Sequence, residues 1–352
     1  MSTIGGILQK ESKHWVGQQS SNCTHASQMW YLFKVMSFIL ILGTTHGAFR
    51  SRRSVNPEAN MNISQIISYW GYPGEVHDVV TEDGYILGLY RIPYGKANND
   101  NSAQKLVVYL QHGLLTSGSS WVSNLLINSL GFILADAGYD VWLGNSRGTT
   151  WSRKHLYLKT NSKEFWAFSF DEMAKYDLPA SIDFIVKHTG QKEIFYVGHS
   201  QGTTIAFITF STIPKIAEKV KIFFALAPVF SIKYSNSPLI KMAYKWKSVI
   251  KLFNSSRLRA FDWGSPVLNW MHFNQTTSPF YNVTCMNVST STWNGARDVL
   301  ADPQDINNLL SEITNHIYHK TISSYNHIDF LFGLDVYHQV YREIIDIIQG
   351  TL

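Results

Sequence analysis

The sequence predicts an α/β fold: a mostly parallel central sheet flanked by helices and built around one large core. Three observations lead there. The chain has 352 residues, 45% of them hydrophobic and 14% aromatic, ample for a single core of that size. From Leu106 onward, short β-branched and aromatic runs alternate with longer helical patterns, as expected when crossover helices join parallel strands. Finally, Gly198-His199-Ser200-Gln201-Gly202 stands between the strand-like Ile194-Phe195-Tyr196-Val197 and a helix-length run from Thr203 to Phe210.

Taken in order, residues 1–28 are polar and aperiodic and read as a disordered N-terminal extension. Residues 29–47 hold a short apolar core followed by small residues, the pattern of a signal peptide or signal anchor. Its distance from Met1 points to translation starting at Met29. Residues 61–73 form a short helix ended by Gly71 and Pro73. Glu75–Val80 and Tyr85–Ile92 pair across a turn at Glu82-Asp83-Gly84. Strands are then expected at 106–110, 140–143, 194–197, 221–227, 287–293 and 316–322. Helices are expected at 121–137, 171–188 and 343–349. The core is therefore expected over 55–230 and 258–350, interrupted at 231–257.

Composition narrows the function. A net charge of +5 with no concentrated basic tract gives no nucleic-acid footprint, and no protein partner is implied. No Cys/His spacing suits zinc, and a nucleophilic-serine reading of the chain implies no metal or organic cofactor. The two cysteines, Cys23 and Cys285, predict no disulfide in a mature chain, and Cys285 reads as a buried free thiol. Sequons at Asn62, Asn254, Asn274, Asn282 and Asn287 favour a glycosylated lumenal protein, with Asn287 expected to enter a strand.

A serine on a tight strand-to-helix turn is the nucleophile elbow of α/β-hydrolases. Gly198 and Gly202 are required because a Cβ there would meet the neighbouring strand and helix, and the helix N-terminus faces the developing negative charge. The pattern occurs twice, however. Gly144-Asn145-Ser146-Arg147-Gly148 also fits, but polar, bulky residues follow it, so it reads as a loop with Arg147 ion-paired. Counting 106–110 as the third strand places Ser146 after the fourth and Ser200 after the fifth, where the elbow belongs. Serine needs a base, and the base an orienting carboxylate, in the order Ser, Asp or Glu, His. The stretches Trp293 to Asp305 and Tyr325-Asn326-His327-Ile328-Asp329-Phe330 offer Asp298, Asp302 and Asp305 as carboxylates and His327 as base; His316, His319 and His338 are rivals.

These stretches resemble the mammalian gastric and lysosomal acid lipases, most closely the gastric type. The shared segments include Tyr69-Trp70-Gly71-Tyr72-Pro73, Leu110-Gln111-His112-Gly113-Leu114-Leu115, Phe168 to Ala180, Val197 to Gly202 and Phe261-Asp262-Trp263-Gly264. The resemblance implies catalytic Ser200, Asp298 and His327, with backbone N–H groups of Leu114 and Gln201 forming the oxyanion hole. Asp302 and Asp305, beside Pro303, read as loop and helix-capping residues, and His112 reads as a loop hydrogen-bonder rather than a second base. The implied activity is hydrolysis of lipid carboxylic esters, of triacylglycerol or cholesteryl ester type, at a lipid–water interface in a secreted or lysosomal setting. The chain departs from the family between Pro228 and Asp262, where only a truncated cap fits. Ser237 and Pro238 open an amphipathic helix over 237–253, suited to packing on the domain or docking on lipid. The missing cap keeps two rivals open, a catalytically impaired lipid-binding variant and an acyltransferase.

Overall fold

The computed structural model describes residues 56–97, 104–231, 233–235, 237 and 257–352. The expected extension 1–28, the segment 29–47, Cys23, the sequon at Asn254 and all of the 237–253 helix except Ser237 lie outside them. Asn60–Leu352 is one compact unit.

Its strands are β1 (Glu75–Val80), β2 (Tyr85–Ile92), β3 (Val107–Gln111), β4 (Asp140–Leu143), β5 (Lys154–His155), β6 (Ile194–His199), β7 (Val220–Leu226), β8 (Ser289–Gly295) and β9 (His316–Ile322). They form one sheet in the order β1-β2-β4-β3-β6-β7-β8-β9, with β5 against β2. The β1–β2, β2–β4 and β2–β5 pairs are antiparallel and the others parallel. A parallel sheet covered on both faces needs apolar residues at every position, and β3 and β6 are buried throughout. Alternation divides them between two cores. Val107, Tyr109, Ile194 and Tyr196 meet Ile182, Ile185 and Phe207 on one face. Val108, Leu110, Phe195 and Val197 meet Ile63, Phe132 and Ile344 on the other.

Several elements differ from the sequence reading. The helix expected over 121–137 is two 3-10 turns, Gly118–Trp121 and Leu126–Asn128, followed by a helix at Leu130–Asp136. Polar side chains take the backbone groups a longer helix would need: Asn124 Oδ1 accepts from Leu125 N and Ser129 Oγ donates to Asn124 O. The helix expected at 171–188 opens at Phe170 on a Ser169–Glu172 capping box and passes through a π-helical turn, Met173–Asp177. That wider turn sits just before Pro179, which has no N–H for an interior helical bond.

Cys285 is exposed rather than buried. The 3-10 turn Val283–Cys285 turns Val283 into the core and Cys285 outward, where Asn282 Nδ2 donates to its sulfur at 3.2 Å. Asn287 lies two residues before β8 instead of within a strand. It is exposed, as are Asn274 and Asn282; Asn62 is half-buried and caps the helix Ile63–Tyr69.

Candidate active site

The site begins where β6 runs into the helix Gln201–Thr212. Ser200 holds φ 54° and ψ −121°, a conformation costly for a residue with a side chain. The surroundings enforce it. Ser200 N donates to Leu226 O at 3.1 Å, and Ser200 O accepts from Thr203 N at 2.8 Å. A Cβ on Gly198 would lie 2.9 Å from the Gly202 carbonyl, and one on Gly202 would lie 2.6 Å from Gln111 O. Gly113 is under the same constraint, since its Cβ would lie 2.8 Å from Ser200 Cβ. Backbone thus packs on backbone, and the serine side chain has one direction left.

β8 and β9 are adjacent parallel strands, and the loops after them carry Asp298 and His327 to the same sheet edge. Asp298 has a fully buried side chain. Its Oδ1 accepts from Leu300 N (2.8 Å) and Ala301 N (2.9 Å), which leaves Oδ2 for His327 Nδ1 at 2.8 Å. A carboxylate oxygen only accepts, so Nδ1 carries the proton and the Nε2 lone pair faces Ser200 Oγ at 2.7 Å. The rivals stand elsewhere. Asp302 caps the helix Pro303–Leu310 through Gln304 N (2.9 Å), and Asp305 accepts from Tyr234 N (3.1 Å). His316 and His319 share Thr292 Oγ1 from β9, and His338 lies in the π-helical turn Tyr337–Tyr341.

Leu114 and Gln201 flank the serine. Gln201 is the first residue of its helix, so its N–H has no intrahelical acceptor. Leu114 lies in the turn after β3, beside Leu115, which adopts a left-handed φ of 60°. His112 braces this turn. Its Nδ1 donates to Gly113 O at 2.7 Å and its Nε2 accepts from Ser146 N at 3.1 Å. Burial pushes its pKa down to about 4, so it is a neutral bracket.

The second G-x-S-x-G surrounds that bracket. Asn145 Oδ1 accepts from Gly118 N (2.9 Å), and Ser146 Oγ accepts from Gln111 Nε2 (3.0 Å). Arg147 is buried between Asp177 (2.7 Å) and Asp83 (2.6 Å), the ion pairing expected of it. A further participant was not foreseen: His199 Nε2 donates to the carbonyl of His327 at 2.9 Å. Burial and the nearby His327 push the His199 pKa down to about 3. This contact joins residues 128 apart in sequence, and only its place inside the motif could have hinted at it.

Among the described residues, Glu75, His77 and His188 place ligand atoms within 4.8 Å of one another on the edge-strand side of the sheet. The shared oxygen, Glu75 Oε2, already accepts from Arg91 Nη1 at 3.0 Å, a cation where a metal would sit.

Comparison with known proteins agrees with this architecture. A partial alpha/beta-hydrolase lipase region matches residues 63–125, and the alpha/beta hydrolase fold matches 107–261. Lipase member J of Homo sapiens is 62% identical over 366 aligned positions, covering 83% of this chain and 100% of the relative. Gastric triacylglycerol lipase of Homo sapiens is 49% identical over 393 positions, covering 91% and 99%. Lysosomal acid lipase/cholesteryl ester hydrolase of Macaca fascicularis is 45% identical over 385 positions, covering 88% and 96%. The gastric alignment is longer than the chain itself, so several dozen positions of that relative have no counterpart here. Among solved structures, an esterase of Pyrococcus furiosus superposes with a TM-score of 0.52 at 14% identity, covering 81% of this chain and 93% of the esterase, a likeness of fold alone.

Proposed function

The chain belongs to the acid-lipase family of α/β-hydrolases, and from that premise we propose that Ser200, His327 and Asp298 are the nucleophile, general base and orienting acid in the cleavage of lipid esters. The protein is a serine hydrolase of carboxylic esters. The observation that carries the residue roles is the unbroken line from Asp298 Oδ2 through His327 to Ser200 Oγ, at 2.8 and 2.7 Å.

In this reading Ser200 Oγ attacks the acyl carbonyl while His327 Nε2 takes its proton. Asp298 holds the Nδ1–H tautomer and stabilises the imidazolium that forms. The tetrahedral oxyanion lies between the N–H groups of Leu114 and Gln201, at the positive end of the Gln201–Thr212 helix. His327 returns the proton to the leaving alcohol, and water, activated by the same base, releases the fatty acid.

Relatives named as triacylglycerol lipase and cholesteryl ester hydrolase support a neutral lipid ester as the substrate. Relatives named gastric and lysosomal, with exposed sequons at Asn274, Asn282 and Asn287, support a glycosylated product of the secretory route, with residues 29–47 as its signal. The deciding experiment assays the full chain on esters of graded acyl length beside Ser200→Ala, with product analysis. Free fatty acid from the parent alone supports the reading. Transfer of the acyl group to an alcohol would make the protein an acyltransferase. Absence of fluorophosphonate labelling at Ser200 would make it a lipid-binding relative without catalysis.

A further inference from the structure

The loops that carry Ser200, Asp298 and His327 are tied to one another by bonds that involve none of the reacting atoms. The loop after β8 meets the loop after β9 where Arg297 N donates to Tyr325 O at 3.0 Å. The loop after β9 is tied to the serine's own strand by His199, the last residue of β6, whose Nε2 donates to the His327 carbonyl at 2.9 Å. β7 and β8 stand between β6 and β9 in the sheet, so no ladder bond sets the spacing of the two. The other side of the His327 backbone is held locally, its N–H donating to Asn326 Oδ1 at 2.8 Å. Ser200 follows His199 directly, so this tie starts one residue from the serine and ends on the histidine that faces it.

The tie is uncharged, and its surroundings keep it so. A carbonyl oxygen only accepts, so His199 carries its proton at Nε2. Its Nδ1 is buried and has no hydrogen-bond partner among the described residues. A Cβ built on Gly113 would lie 3.1 Å from that nitrogen, so Nδ1 lies against the glycine of the turn after β3. An unpaired buried nitrogen costs stability. A carboxylate beside it would remove that cost but would favour the charged ring. The ring centroids of His199 and His327 are 5.0 Å apart. A cation at that distance would oppose the imidazolium that His327 becomes when it takes the serine proton. Burial and the neighbouring His327 push the His199 pKa down to about 3, which leaves the ring neutral beside the base.

We propose that His199 is a positioning residue of the reaction, an uncharged donor that holds the main chain of His327 at the distance from Ser200 that proton transfer needs. The inference rests on the reading of Ser200 and His327 as nucleophile and base, and it adds what sets their separation. Ser200 Oγ and His327 Nε2 stand 2.7 Å apart. A displacement of about 1 Å between reacting groups costs roughly 100-fold in rate. A histidine that only filled space would act differently: its loss would lower the amount of folded enzyme and leave the rate at each intact site unchanged.

The test measures hydrolysis of a soluble p-nitrophenyl ester by the full chain, with active serines counted by end-point titration with a fluorophosphonate so that unfolded protein drops out of the rate. His199→Leu fills the site without a donor, His199→Asn carries an amide too short to reach the carbonyl, and His199→Gln carries one that reaches it. The Leu and Asn variants should lose about 10- to 100-fold in kcat per titrated serine with KM within about twofold of the parent, and the Gln variant should return to within about fivefold of parental kcat. Should His199→Leu fail to fold, the Gln and Asn variants decide, since they differ by one methylene. Parental kcat per titrated serine in the Asn or Leu variant overturns the proposal, as does a Gln variant no faster than the Asn one. The two readings fail separately. A parent that neither labels at Ser200 nor hydrolyses the ester removes the catalytic reading itself. A parent that does both, beside variants altered only in yield or melting temperature, removes the role of His199 alone.

Discussion

The backbone N–H of Ser146 donates to Nε2 of His112 at 3.1 Å, which gives the second G-x-S-x-G a place in the architecture of the site. That bond leaves Nδ1 of His112 as the donor, directed at the carbonyl of Gly113 beside Ser200. Ser146 Oγ takes the amide of Gln111, whose own Oε1 accepts from Tyr109 Oη. A buried polar network of this kind fixes a loop only when its members are satisfied together. The repeated pattern therefore marks the ends of β4 and β6, the two strands that flank β3: the end of β6 bends to present a serine, and the end of β4 supports the turn after β3.

The two serines should separate cleanly by substitution. Ser200→Ala should lower ester hydrolysis by about 10⁴-fold or more, because members of a catalytic triad act as a unit. Ser146→Ala should leave most activity and cost about 1–3 kcal/mol of stability, since Gln111 Nε2 loses a buried acceptor. Steady-state kinetics and urea unfolding of the two variants decide the matter. Full activity in Ser200→Ala would move the nucleophile elsewhere.

The carboxylates separate in the same way. Asp298→Asn places an amide donor or a weaker acceptor against Nδ1 and favours the wrong tautomer of His327, a loss of about 10⁴-fold in kcat. Asp302→Ala removes the cap of the Pro303–Leu310 helix and should cost about 1 kcal/mol with little change in kcat. Kinetics on folded, purified variants showing the reverse order would reassign the acid to Asp302.

Much of the fold was legible because parallel strands announce themselves. The expected 106–110 and 221–227 fall within one residue of β3 and β7, and 140–143 and 316–322 coincide with β4 and β9. Apolar runs bounded by turn residues carry that information locally. The two-residue β5 has no such run, and the helix before Leu130 is broken by Asn124 and Ser129 through hydrogen bonds that apolar periodicity does not reveal. In the candidate site, chain order together with the family resemblance points to Ser200, Asp298 and His327, and these three side chains lie within hydrogen-bond distance of one another. Chain order does not reveal the contact of His199 with the carbonyl of His327, since it exists only once β6 and the loop after β9 have been brought together. Nor does composition reveal that Leu115 takes a left-handed backbone.

The reduced lid bears on kinetics. A complete lid hides an apolar site in water and opens at oil, a two-state element biased by lipid. With several dozen positions of the gastric relative unmatched, less remains to close over Ser200. Short soluble esters should be hydrolysed without an interface, and the rate should rise smoothly as a short triglyceride passes its solubility limit. A sharp jump at that limit would mean that the residual cap still gates the site.

Acid should favour the folded state at one buried carboxyl, that of Asp171. Its Oδ2 accepts from Phe261 N at 2.8 Å and its Oδ1 from Tyr281 Oη at 2.9 Å, so this carboxyl ties the segment that follows the cap to the core. Burial pushes its pKa up to about 6; the bonds from Phe261 and Tyr281 work against that rise, and neighbouring Glu172 adds to it. A carboxyl with a raised folded pKa binds more protons folded than unfolded across the interval between its two pKa values. Its contribution to stability is therefore complete below about pH 4 and lost as pH rises through about 6, roughly 3 kcal/mol in all. His112 and His199 act in the opposite sense. Their folded pKa values of about 4 and about 3 mean that stability present above pH 6.5 falls as the medium becomes more acid. The absolute curve mixes these effects, but a comparison with Asp171→Asn isolates the carboxyl, because the amide cannot ionise and keeps one acceptor oxygen. Melting temperatures of parent and variant should be measured from pH 4.5 to pH 7. The parent should lose ground to the variant by several degrees as pH rises through 6. A difference that stays constant across this range would show that Asp171 does not titrate there.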